Sequence, residues 1–146
     1  SNGYGRFRPN AMAPQSILWG RDNRGAMLRV IGNAGDAATR IENRLGEPAA
    51  NPYLYMASQI HAGLDGVKAQ LQAPPATETP YSAGAHTIPT SLADAVRALQ
   101  KDAALCQALG QPFVDYYSTI KQAEHQRLAQ ADDAQEFHRR EYFGRI

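Results

Sequence analysis

The rhythm of apolar and polar residues changes about a third of the way along this chain. Up to Leu45 the apolar runs are short and broken by Gly, Asn and Pro, which suits brief strands joined by turns. Residues 16–19 (SILW), 26–31 (AMLRVI) and 39–45 (TRIENRL) read as three such strands, and 31–38 (IGNAGDAA) as a hairpin-like connection. Upstream, Pro9, Pro14 and several glycines predict extended or looped backbone without a helix, with a turn at Pro9-Asn10. Beyond residue 50 apolar positions recur at helical spacing. Asn51 followed by Pro52 predicts the cap and first turn of a helix from Tyr53 to Gly63 or a little beyond, with Tyr53, Tyr55 and Met56 buried. Residues 72–89, carrying Pro74, Pro75, Pro80 and Gly84, predict a long loop. Ser91, with Asp94 as partner, caps a helix from Leu92 to about Cys106, and 102–109 can form a separate short one. A further helix is predicted from Phe113 to about Ala131, with Glu124 and His125 on its solvated face. A short one within 132–146 is docked by Phe137, Tyr142 and Phe143. The fold class that follows is α+β: a few antiparallel strands in the N-terminal half lining a site, then packed helices.

Composition narrows the function classes. A chain of 146 residues is enough for one ordinary domain. It is 43% hydrophobic and carries a formal net charge of +1, which excludes disorder and a nucleic-acid binder acting through bulk charge. No apolar run approaches a membrane span and no signal peptide is visible, so no membrane partner is expected. One cysteine, Cys106, excludes an internal disulfide and fits a reducing, cytoplasmic compartment; between Leu105 and Leu109 it reads as a small apolar filler.

The unusual chemistry lies between Trp19 and Tyr53. Five arginines fall between Arg21 and Arg44. On a strand, Arg40, Glu42 and Arg44 project from one face, while the odd spacing of Arg24 and Arg29 puts them on opposite faces unless a turn near Gly25 re-aims one. Guanidiniums flanking a carboxylate suit an anion site, because arginine grips phosphate or carboxylate through two parallel hydrogen bonds. The plainer alternative is a set of structural ion pairs with Asp22, Asp36 and Glu42. For a divalent cation Glu42 supplies one oxygen ligand, and neither Asp36 nor Asp65 is an obvious second. No CxxC set, HExxH, Walker lysine loop or GxGxxG occurs.

A series of short motifs then gives the chain a family likeness. They are Tyr4-x-Arg6-Phe7-x-Pro9, Ala13-Pro14, Asn23-Arg24-x-Ala26-x-x-Arg29, Arg40-Ile41-Glu42-x-Arg44, Asn51-Pro52-Tyr53-Leu54 and Ala62-Gly63-Leu64-Asp65-Gly66. Pro89-x-Ser91-Leu92, Leu109-Gly110 and Glu141-Tyr142-Phe143 complete the series. In this order and at these intervals they resemble the C-terminal portion of the catalytic domain of the glutamine synthetase family, over nearly the whole chain.

The resemblance implies an ATP-dependent carbon–nitrogen ligase working with Mg2+ or Mn2+. Glutamate is activated as γ-glutamyl phosphate, and ammonium or a small amine captures it. It implies that Arg24 and Arg29 clamp the ATP phosphates, with Arg24 and Arg44 at the transferring phosphoryl group, and that Arg40 lies on the nucleotide side. Glu42 would be a metal ligand, Arg44 a grip on the reacting phosphate or glutamate, and Arg6 the holder of the glutamate α-carboxylate. Residues 1–146 then correspond to the C-terminal part of the catalytic domain, without its first half or the N-terminal domain. The complete protein would be a homo-oligomeric ring and the isolated chain inactive; the alternative is a non-enzymatic remnant serving as a structural or interaction module. One departure bears on the acceptor. Ammonium-using members carry a glutamate where Met12 stands beside Ala13-Pro14, and an apolar Met leaves room for a bulkier or alkyl amine. Another is Val30-Ile31-Gly32, which replaces an Ile-Pro step and reads as loop variation.

Overall fold

A computed structural model describes residues 2–8, 11–81 and 86–144; the turn expected at Pro9-Asn10 lies outside them. The chain forms two compact units. One is a three-stranded sheet with its loops (residues 5–48 and 72–88), and the other is helical (residues 1–4, 49–71 and 89–146).

In the sheet unit, β1 (Trp19–Arg21), β2 (Leu28–Ile31) and β3 (Arg40–Asn43) lie in that order. β2 and β3 are antiparallel, with Arg29 opposite Glu42 and Ile31 opposite Arg40. β1 and β2 are parallel, which corrects the all-antiparallel expectation. The reason is local. Asp22 takes a left-handed φ of 46°, and a turn closed by Ala26 N–H donating to the Asn23 carbonyl returns the chain to the start of β1. β2 therefore leaves in the direction β1 took. The connection 32–39 closes through Gly32, at φ 83°, where a Cβ would sit 2.7 Å from the Thr39 backbone. Ala26, Pro14 and Ile88 are the buried centre of this unit.

A 3-10 turn, Asn2–Arg6, precedes the sheet, so the glycine-rich start excludes an α-helix but not this tighter turn.

The helical unit holds α1 (Pro52–Lys68), α2 (Leu92–Lys101), α3 (Ala103–Leu109), α4 (Gln111–Ala129) and α5 (Ala134–Tyr142). Asn51 caps α1, its side chain accepting from the amides of Tyr53 and Leu54, and the helix runs on through Asp65. Ser91 Oγ accepts from Asp94 N–H at 3.1 Å and donates to Asp94 Oδ2 at 2.7 Å, a capping pair that starts α2. The Ser91–Asp94 bond is also what holds the Asp94 carboxyl below its ordinary range. Asp102 breaks the next stretch in two by capping α3 at Leu105 N–H, and Gly110, at φ 86°, separates α3 from α4. Val96, Cys106 and Val114 form the core between α2, α3 and α4.

α1 departs from its expected role. It buries none of its residues, and Tyr53 is 83% exposed. Glu124, expected on a solvated face, is 4% exposed. At the chain's end Tyr142 docks while Phe143 is exposed.

Candidate functional site

The sheet unit gathers the arginines around one carboxylate. Because Arg29 on β2 faces Glu42 on β3, their side chains meet across the strand pair. Arg29 Nη1 donates to Glu42 Oε2 at 3.1 Å, and Arg29 also bonds the carboxylate of Asp22. Just past β3, Arg44 Nη1 donates to Glu42 Oε1 at 3.1 Å, and its Nη2 reaches the Met12 carbonyl at 3.3 Å. Arg6 Nη2 donates to the Arg44 carbonyl, and the Arg6 guanidinium lies 4.8 Å from the centre of the Phe7 ring. The result is a chain of contacts: Asp22, Arg29, Glu42, Arg44 and Met12, with Arg6 joined at the Arg44 backbone. The hydrogen bonds it donates to Asp22 and Glu42 raise the Arg29 guanidinium further above its already high range, so it stays a fixed cation.

Arg29, Glu42, Arg44 and Arg6 are thus brought together, and Arg24 and Arg40 are not. Arg40 is exposed and bonds the Ala38 carbonyl at 2.8 Å rather than Glu42. Arg24 sits in the turn before β2, exposed, with no ion pair or side-chain hydrogen bond among the described residues. Asp36 pairs with no arginine among the described residues and accepts instead from Ala38 N–H. Arg6 Nε and Arg44 Nε are buried without an acceptor among the described residues. Unpaired buried donors beside several guanidiniums make a locally electropositive patch, the environment an oxyanion prefers.

A divalent cation does not fit this chain's residues alone. Both Glu42 oxygens accept from guanidiniums, and no cluster of three or more His, Cys, Asp or Glu able to hold a metal occurs among the described residues.

The glutamine synthetase catalytic-domain family matches residues 1–140. This chain belongs to that family. It is 44% identical over 135 residues to a γ-glutamylanilide synthase of Acinetobacter sp, covering 92% of this chain and 27% of the relative. It is 39% identical over 132 residues to a glutamine synthetase of Methanocaldococcus jannaschii, covering 84% and 29%. A solved GmaS complex with ADP superimposes with a TM-score of 0.72 at 34% identity, covering 88% of this chain and 29% of that one. The chain therefore spans less than a third of the length of each of these three. Family membership agrees with the α+β fold, and the glutamine synthetase family is ATP- and divalent-metal-dependent in general.

Two groups were not legible as partners from the sequence. The Met12 carbonyl was invisible because backbone contacts leave no residue signature. Glu124 carries a signal, Lys121 three residues before it, but only packing shows it buried. Lys121 Nζ donates to it at 2.8 Å and the Tyr142 hydroxyl also bonds it. Burial works to raise the Glu124 carboxyl, and these two hydrogen bonds together with nearby positive charge, Lys121 first, outweigh it, leaving it below its ordinary range. Burial also pushes the nearby Tyr4 phenol up to about 12. Among the described residues no helix is long and apolar enough to cross a membrane.

Proposed function

We propose that this chain is the phosphate-gripping part of an ATP-dependent ligase that joins glutamate to ammonium or an amine through γ-glutamyl phosphate. The observation that carries the reading is the contact chain Arg29–Glu42–Arg44 in a chain of glutamine synthetase type. Phosphoryl transfer needs little covalent help from protein; it needs fixed positive charge and preorganised donors, and locked guanidiniums supply both. In this reading Arg24, Arg29 and Arg40 bind ATP, Arg24 and Arg44 act on the transferring phosphoryl group, and Arg6 and Arg44 hold glutamate. Arg29 and Arg44 are held by Glu42, whereas Arg24 makes no ion pair among the described residues and Arg40 bonds the Ala38 carbonyl, so neither has its charge neutralised by a carboxylate. Glu42 serves as at most one ligand of an Mg2+ or Mn2+ ion whose other ligands these residues do not provide. The likeness to a GmaS solved with ADP supports a nucleotide-using ligase.

For the acceptor the reading favours an amine over ammonium. Met12, 59% exposed and held at φ 51°, presents an apolar side chain where its carbonyl is pinned by Arg44. The Met12 side chain itself offers no carboxylate to hold and deprotonate ammonium, and the most similar of the relatives above is named for an aromatic amide.

The isolated chain is expected to give no amide product; measurable glutamate-dependent turnover by it alone would sink the claim that it is only a part of the site. The direct test is a chimera in which this chain replaces the matching stretch of the Acinetobacter synthase. ADP release with Mg-ATP and glutamate is then compared across ammonium and a panel of amines. Amine-stimulated release that Arg44→Ala abolishes is the expected result. A chimera that folds and binds ATP but answers to no acceptor overturns the reading, and one that prefers ammonium overturns the role given to Met12.

A further inference from the structure

We propose that the loop following α1 is the positioning element for Arg24, clamping the Asn23–Gly25 turn from two sides so that an unpaired guanidinium is held out at a fixed place. This deepens the reading of Arg24 as a phosphate grip and rests on it.

The loop is strapped to the sheet unit at both ends. Trp19 Nε1 donates to the Pro74 carbonyl at 2.6 Å and Thr77 N–H to the Trp19 carbonyl at 2.9 Å. At the far end Ile17 N–H donates to the His86 carbonyl at 2.8 Å, and Ser16 bridges to Thr87. Between these anchors the strap grips the turn. Asn23 Nδ2 donates to the carbonyls of Thr77 and Glu78 at 3.3 and 3.4 Å, while Asn23 Oδ1 accepts from Gly25 N–H at 3.0 Å. On Gly25 a Cβ would meet Pro80 Cγ at 2.5 Å and the Tyr81 ring at 2.9 Å, so this residue must be glycine for the strap to close.

Asn23 and Gly25 flank Arg24 and fix its backbone, while its exposed guanidinium has no partner among the described residues. Arg29 and Arg44 owe their positions to carboxylates, which also neutralise part of their charge. The Arg24 backbone, and so the root of its side chain, is placed by contacts of its neighbours, which leave its full charge and all its donors for a ligand. Fixing a donor before the ligand arrives removes an ordering cost from the binding step. Asn23, Gly25, Pro80 and Tyr81 are therefore positioning residues acting through Arg24.

The test uses this 146-residue chain, with inorganic tripolyphosphate as the probe, its affinity followed by NMR titration. Trp19, the single tryptophan, reports by fluorescence that the first anchor of the strap is intact. Asn23→Ala and Gly25→Ala are expected to raise the mobility of residues 23–26 in amide relaxation and to weaken tripolyphosphate about tenfold. Arg24→Ala is expected to weaken it at least as much while leaving the turn ordered. The deciding readout is the double variant: with Arg24 already removed, Asn23→Ala should cost nothing more. Equal losses with and without Arg24 would show a general structural effect and overturn the proposal, as would an unchanged turn mobility in both strap variants. If Arg24→Ala leaves affinity untouched, the phosphate reading of Arg24 falls and the strap's link to affinity falls with it. The relaxation data, which need no ligand, then decide the positioning claim alone.

Discussion

Arg29 and Arg24 stand five residues apart and have opposite environments. Arg29 is locked between two carboxylates, Asp22 and Glu42, with its side chain 16% exposed. Among the described residues Arg24 makes no ion pair or side-chain hydrogen bond. Replacing each by alanine should therefore separate stability from binding. Arg29→Ala is expected to lower the urea midpoint clearly, because it leaves Glu42 half-satisfied and removes a packed stem. Arg24→Ala should stay within about 0.5 kcal/mol of the parent. Urea unfolding of the two variants checks this, and equal losses would contradict the assignment of Arg24 as a free donor. Ser118 gives a second residue-scale test. Its hydroxyl is buried without a partner among the described residues, so Ser118→Ala should leave stability unchanged or raise it by up to about 1 kcal/mol. A loss of comparable size would mean that the hydroxyl has an acceptor after all.

Helices α4 and α5 are joined by one buried carboxylate. Glu124 on α4 receives Lys121 from its own helix and the Tyr142 hydroxyl from α5, and Arg127 pairs with Glu141 at 3.0 Å beside them. Breaking such a pair strands Lys121 near the interior, so Glu124→Gln is expected to destabilise the chain by about 2 kcal/mol. The pH dependence has a definite sign. The folded carboxyl titrates below its unfolded value, so its contribution is complete above the ordinary carboxylate range and is lost as pH falls through the folded value. Acid unfolding followed by circular dichroism should accordingly be shallower in Glu124→Gln than in the parent. Identical acid profiles would place the linkage elsewhere.

Across the whole molecule the feature that stands out is α1. Tyr53, Met56, Ile60, Leu64 and Val67 recur at three- and four-residue spacing along it, and all are 57% exposed or more. An apolar stripe of that length on a monomer is a site of association. The isolated chain is expected to self-associate in sedimentation experiments, and Ile60→Glu with Leu64→Glu to reduce it. A monodisperse monomer at high concentration would count against this. The groove of about 420 Å³ between α1 and α3, lined by His61, Asp65, Lys68 and Leu105, belongs to this same helical surface and holds none of the proposed phosphate-binding arginines.

Local chemistry decided what could be read in advance. Asn51-Pro52, Ser91 with Asp94, and the Gly110 break act within a few residues, so helix starts and stops followed from the sequence. Cys106 proved the buried filler its neighbours suggested. The motif series placed the chain in its family, because order and spacing survive in the sequence whatever the packing. Contacts across space did not follow in the same way. The parallel pairing of β1 with β2 came from a single left-handed residue, Asp22, whose φ no composition encodes. Strand periodicity grouped Arg40 with Glu42 and Arg44, but it took the register between two strands to bring Arg29 to Glu42 and leave Arg40 outside. Likewise the apolar pattern of α1 predicted a helix with a face to bury, and only the tertiary structure shows that nothing among the described residues covers it. A hydrophobic pattern states that a surface should leave water; which surface meets it is a property of the assembled fold.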